Sequence, residues 1–179
     1  MKKILVMVLL LFTSSEVGAN LVSSVRDLDF ANMTYPGSEQ FENAFYRLGP
    51  FTLRDGEDCH SEPRYTRDGV LCLSLDGEVG RRIIFGDLTG DGAEEAIVQI
   101  WFSGGNWYGR HFYIIALKNG QPHFLWGMED GDLLSIYFKD GGFFVEDSVY
   151  AQNDPRCCPS GYKKTFFKWN GKTFEKFGK

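Results

Sequence analysis

The chain has 179 residues, of which 16% are aromatic and 24% charged, and its formal net charge is −5. An acidic chain repels phosphate backbones, so the composition excludes the electrostatic basis of general nucleic-acid binding. A chain of this size buries about 70% of its unfolded surface, so it does not need its four cysteines merely to hold a core.

Lys2 and Lys3 precede an apolar run from Ile4 to Phe12, and Val17-Gly18-Ala19 forms a small-residue cleavage site. This is the layout of a secretory signal peptide, too short and wrongly flanked for a transmembrane helix. No cysteine follows the cleavage point to carry a lipid, and no second apolar stretch approaches membrane-spanning length. The expected mature chain is one β-rich domain over residues 20–179, exported to the periplasm or secreted. Loss of Lys2, Lys3 and Glu16 takes its net charge to about −6.

After an aromatic-bearing segment, Pro36-Gly37 breaks the chain. Ser38 to Leu48 reads as a short helix, with Ser38 as N-cap and Phe41, Ala44, Phe45 and Leu48 at helical spacing. Gly49-Pro50 ends it. Strands and turns follow. Gly80 to Leu88 and Glu95 to Phe102 are predicted strands, the second nearly all β-formers and expected in the centre of a sheet. His111 to Leu117 turns at Asn119-Gly120 into Pro122 to Trp126. Leu133 to Phe138 turns at Asp140-Gly141-Gly142 into Phe143 to Tyr150. Lys164 to Trp169 turns at Asn170-Gly171 into Thr173 to Phe177. Asn-Gly and Asp-Gly between apolar runs mark hairpins, because the tight turn needs positive φ. The predicted fold class is mainly β: a single antiparallel hairpin meander with one short N-terminal helix.

Cys59, Cys72, Cys157 and Cys158 form an even set in an exported chain and read as two disulfides. A Cys59–Cys72 bridge closes a short loop and contributes on the order of 3 kcal/mol, leaving Cys157 and Cys158 to bond as neighbours. The alternatives tie Cys157 and Cys158 separately to Cys59 and Cys72. Cross-linking is the preferred expectation, since bonded neighbours require unusual backbone geometry.

Between two of the predicted strands lies Gly86-Asp87-Leu88-Thr89-Gly90-Asp91-Gly92-Ala93-Glu94-Glu95-Ala96. Calcium loops supply oxygen at alternate positions, and here these are Asp87, Thr89, Asp91, the Ala93 carbonyl and Glu95, with Gly92 at the sharp turn. The stretch from Phe85 to Ile100 resembles the calcium loop of FG-GAP repeats, with its strand–loop–strand setting. That resemblance implies a structural calcium ion. Thr89 departs from it, placing a neutral hydroxyl where the repeat has a carboxylate or amide. The competing reading is a bare turn in which Asp side chains accept from nearby backbone N–H groups.

Asp29-Phe30-Ala31-Asn32 with Tyr35-Pro36, then Asp87 to Val98, then Cys157-Cys158-Pro159-Ser160 followed by Phe167 to Gly171, also resembles a group of small exported bacterial proteins. Mycobacterial surface lipoproteins belong to that group, from which this chain differs in lacking the lipid-bearing cysteine. The resemblance implies an extracytoplasmic β domain and no established activity.

His60, His111 and His123 do not sit at metal-ligand spacing, and no Gly-x-Ser-x-Gly elbow accompanies them. His111 and His123 read as ordinary strand residues, and Glu129-Asp130-Gly131-Asp132 as a solvated acidic turn. No catalytic residue is assigned. A Gly-rich loop carrying Trp107 and Tyr108 is the candidate ligand platform, since two flat rings offer area to a sugar or peptide at low entropic cost. The functional expectation is a non-enzymatic exported binding or surface-associated module whose partner is a glycan or another exported protein. The alternatives are a carboxylate-dependent hydrolase of extracellular or cell-wall glycans and an inhibitor or immunity-type protein that caps another exported protein.

Overall fold

The computed structural model describes residues 22–38, 41, 48–61, 70–75, 83–104, 107–130, 133–139, 141–155 and 157–178. The predicted signal peptide and all but Ser38, Phe41 and Leu48 of the predicted helix lie outside the described residues. Ser38 and Leu48 close on each other: the Ser38 N–H donates to the Leu48 carbonyl at 2.9 Å, and the Leu48 N–H donates to Ser38 Oγ at 3.0 Å. Two single 3-10 turns, Val25–Asp27 and Phe30–Asn32, come before them. Among the described residues no helix is long and apolar enough to cross a membrane.

Twelve strands among the described residues form three antiparallel sheets. The first is a short pair, β1 (Thr34–Tyr35) with β2 (Phe51–Thr52). The second runs β3 (Glu57–Ser61), β4 (Val70–Ser74), β6 (Glu95–Gly104), β7 (Trp107–Lys118), β8 (Gln121–Asp130), with β5 (Ile84–Gly86) paired to the start of β6. The third is β12 (Phe174–Phe177), β11 (Gly161–Trp169), β10 (Gly142–Val149), β9 (Leu133–Lys139).

The near-continuous apolar run of β6 has a direct cause: both faces of the strand are buried. Ala96, Val98, Ile100 and Phe102 point into one core with Leu71, Leu73, Tyr113 and Ile115, covered by Val25, Phe30, Tyr35, Phe51 and Leu53. Ile97, with Phe112 and Ile114 of β7, points the other way into a second core. Ile136, Phe143, Val145, Phe167 and Phe174 of the four-stranded sheet close that second core from their side. One face of the four-stranded sheet is therefore spent on packing.

All three predicted hairpins form. Asn119 and Gly120 both take positive φ, 53° and 70°, the geometry that matches the twist of β7 and β8. A fourth tight turn of the same chemistry went unread in the sequence: Asp55 and Gly56, at φ 54° and 90°, reverse the chain between β2 and β3.

The disulfides correct the preferred cross-linking. Cys59 pairs with Cys72, and Cys157 with Cys158. Cys59 and Cys72 sit directly opposite each other in the β3–β4 ladder, whereas Cys157 and Cys158 lie in the loop between β10 and β11 of the other sheet.

Candidate binding surface

The Asp87–Glu95 stretch joins β5 to β6, and its carboxylates are turned onto its own backbone. Asp87 Oδ1 accepts from the N–H groups of Gly90 at 2.6 Å and Asp91 at 3.1 Å, and its Oδ2 from Gly92 at 3.0 Å. Asp91 Oδ1 accepts from Ala93 N–H at 2.8 Å. Glu95 is 2% exposed. Its Oε2 accepts from the N–H groups of Leu88 and Thr89 at 2.7 and 3.1 Å, and its Oε1 from Thr89 Oγ1 at 3.2 Å. Burial pushes the Glu95 carboxyl above its usual range, against the opposing pull of these donors. Thr89, the departure from the FG-GAP pattern, thus serves Glu95 by donating to it. As a donor set for calcium these residues fit poorly: Glu95 lies under the turn while Asp91 faces solvent. Among the described residues no three His, Cys, Asp or Glu side chains gather where they could hold a metal.

The turn is anchored from two sides. Arg26 Nε and Nη2 grip Glu94 at 2.6 and 2.7 Å, with the guanidinium 4.4 Å from the Phe85 ring centroid. Gly141 N–H donates to the Asp87 carbonyl, and the Phe138 ring lies so close over Gly86 that a Cβ there would clash with it.

Trp107 and Tyr108 are not on a loop. They open β7, paired with Gly104 and Ser103 of β6. Gly109 is needed where it stands because the Phe102 ring covers it. The side chains of Trp107 and Tyr108 lie outside the described residues. His111 is fully buried, with its ring 4.6 Å from that of Phe102 and its Nε2 3.3 Å from Glu129 Oε2. The acidic Glu129 thus faces the core instead of water, its side chain 6% exposed. His123 is an exposed residue of edge strand β8.

The surface that sequence reading missed is the outer face of the four-stranded sheet. Strand alternation sends Phe143 and Phe167 inward and their neighbours Phe144 and Phe166 outward. Register then places Tyr137 beside Phe144, Phe144 beside Phe166, and Phe166 beside Phe177. One row of four rings crosses all four strands. The Phe144 and Phe166 centroids are 4.8 Å apart, and those of Phe166 and Phe177 6.2 Å. Tyr137 is 46% exposed and Phe177 62%, and Tyr162, further along the outer face of β11, is 60% exposed.

Lysines flank the row. Lys139 Nζ lies 5.3 and 5.8 Å from the Phe144 and Phe166 centroids, Lys164 Nζ 5.4 Å from Tyr137, and Lys168 Nζ 5.4 Å from Phe177. Glu146, on the same face, is already engaged. It accepts from the Tyr137 hydroxyl at 3.0 Å and Ser135 Oγ at 3.3 Å, and pairs with Lys164 at 3.4 Å. The Tyr137 hydroxyl, with Lys164 and Ser135, holds its carboxyl below the usual range. Compared with known proteins, no family model matches the sequence, no curated protein matches it, and no solved structure matches its fold. Function therefore has to be read from this chain's own geometry.

Proposed function

We propose that the protein is an exported binding module whose ligand surface is the outer face of the β9–β12 sheet. The observation that carries this is the row Tyr137, Phe144, Phe166 and Phe177, in register across four strands, with Tyr137 and Phe177 exposed and Phe144 and Phe166 half-buried between them. Apolar rings on a sheet face cost solubility unless something covers them, and contiguous exposed patches of this kind mark interaction sites. Aromatic rings also bring large contact area with few torsions to freeze. A row of rings that crosses four strands suits an extended polymer, and a glycan chain is the ligand whose apolar ring faces stack on such a row.

The test is retention of the mature protein on a panel of extracellular and cell-wall polysaccharides, with Phe166→Ser and Tyr137→Ser as variants. Retention by at least one polysaccharide, lost in both variants at an unchanged unfolding midpoint, is the expected result. Retention that ignores both substitutions would overturn the assignment.

In this reading the Asp87–Glu95 turn is a strut and not a metal centre, because backbone donors hold its carboxylates. The unfolding midpoint is expected to be the same in chelator and in calcium. A calcium site of ~0.1 mM affinity adds about 1.4 kcal/mol at ~1 mM calcium and raises the midpoint by a few degrees in a domain of this size. A calcium-selective rise, lost in Asp91→Ala, would restore the metal reading.

A further inference from the structure

We infer that the ligand of this face is a polysaccharide bearing carboxylates, a polyuronate, held by the ring row and the lysines together. The inference rests on the proposed use of the face and adds the charge of what binds there. Charge in this chain is segregated. From residue 133 to 179 there are eight Lys and Arg against five Asp and Glu, a net charge of +3 in a chain whose total is −5. The acidic remainder repels a polyanion while the segment that carries the four-stranded sheet attracts one, and approach is directed to it.

The ionisable groups on the outer face are Tyr137, Lys139, Glu146, Tyr162, Lys164, Lys168 and Glu175. Glu146 is neutralised by Lys164 and capped by two hydroxyls. Glu175 lies beside Lys168 in the register. Lys139 and Lys168 have no ion-pair partner among the described residues, and their ammonium groups rest on ring faces instead. An exposed cation–π contact is worth only about 0.5–1 kcal/mol, so each ammonium can swing to a ligand carboxylate at little cost. A uronate sugar combines what the face offers. Its C–H face stacks on a ring, and its carboxylate, at the edge of the sugar, meets the ammonium beside that ring. The row spans three strand spacings of ~4.8 Å, ~14 Å in all, enough for a short run of consecutive sugars.

The experiment is calorimetric titration of the mature protein, in chelator, with polygalacturonate oligomers and with the same oligomers fully methyl-esterified. The ester keeps the sugar rings and removes the charge. Binding of the acid form that weakens about tenfold between ~50 and ~300 mM salt, falls at least as far for the ester, and is lost in the Lys139→Gln, Lys168→Gln double variant supports the inference. Equal binding of acid and ester that still requires Phe166 would overturn the charge assignment while leaving the ring face as the binding surface. Binding of neither form would overturn the inference, and the polysaccharide panel then decides the face by itself. Binding to vesicles of phosphatidylglycerol and phosphatidylcholine, without binding to the oligomers, would overturn it in favour of a lipid surface.

Discussion

Glu95→Ala is expected to lower stability by about 3 kcal/mol, a fall of roughly 10 °C in Tm for a domain of this size. The carboxylate terminates the Leu88 and Thr89 N–H groups and the Thr89 hydroxyl from a position that is 2% exposed. Alanine leaves the Leu88 donor buried with nothing to accept its hydrogen, and a buried unsatisfied donor costs about 1–3 kcal/mol. It also frees the start of β6, whose next residues, Ala96 and Ile97, belong to two different cores. Glu95→Gln should cost much less, since an amide oxygen still accepts from the backbone. The glutamine variant also removes a pH dependence of known sign. Burial raises the Glu95 carboxyl in the folded state, so its contribution to stability is full below the unfolded value and is lost as pH rises through the folded one. Wild type should show that decline as pH rises above the ordinary carboxylate range, and Glu95→Gln a flatter curve. Chemical denaturation at several pH values measures both effects. An alanine variant as stable as wild type would mean that the turn holds itself without Glu95.

The same residues show what the sequence made legible and what it did not. The β6 run and the Asn119-Gly120 turn were readable because each signal is local: apolar continuity in one case, positive φ in the other. Asp55-Gly56 carried the same turn signal, but the short strand Phe51–Thr52 on one side and polar Glu57-Asp58 on the other gave it no apolar flanks. The spacing of the acidic turn was visible, yet whether its carboxylates face a metal or the backbone depends on side-chain direction, which spacing does not encode. The glycine neighbours of Trp107 and Tyr108 give a loop signal in the sequence, although Gly104 and Gly109 belong to paired strands. Disulfide pairing needed the β3–β4 register, a long-range fact. The aromatic face was hidden for a related reason. Phe143-Phe144 and Phe166-Phe167 are doublets, and alternation fits a doublet equally well in either phase. Only pairing to β9 and β12, with the second core on one side, decides which ring of each doublet faces water.

Those doublets give the sharpest comparison available on adjacent residues of one strand. Phe143→Ala is expected to cost about 4 kcal/mol, lowering Tm by more than about 10 °C. Its ring is 0% exposed, stacked at 5.2 Å on Phe167 and within 5.4 Å of Trp126 and 5.3 Å of Phe174. Removing it opens a cavity between the two sheets, because the backbones of β7, β10 and β11 are pinned by their ladders. Phe144→Ala removes a ring of the same size one residue on, but that ring is half-buried and contacts Phe166 and the Lys139 ammonium on the outer face. Its loss should cost about 1 kcal/mol, the scale of one cross-strand aromatic pair. Ligand retention should respond in the opposite order: nearly abolished by Phe144→Ala and, below its lowered midpoint, kept by Phe143→Ala. Equal destabilisation by the two substitutions would mean that the outer face is covered in the folded protein, and the binding surface would have to be sought elsewhere. Unequal destabilisation with retention lost only in Phe144→Ala would separate the ring that holds the sheets together from the ring that meets the ligand.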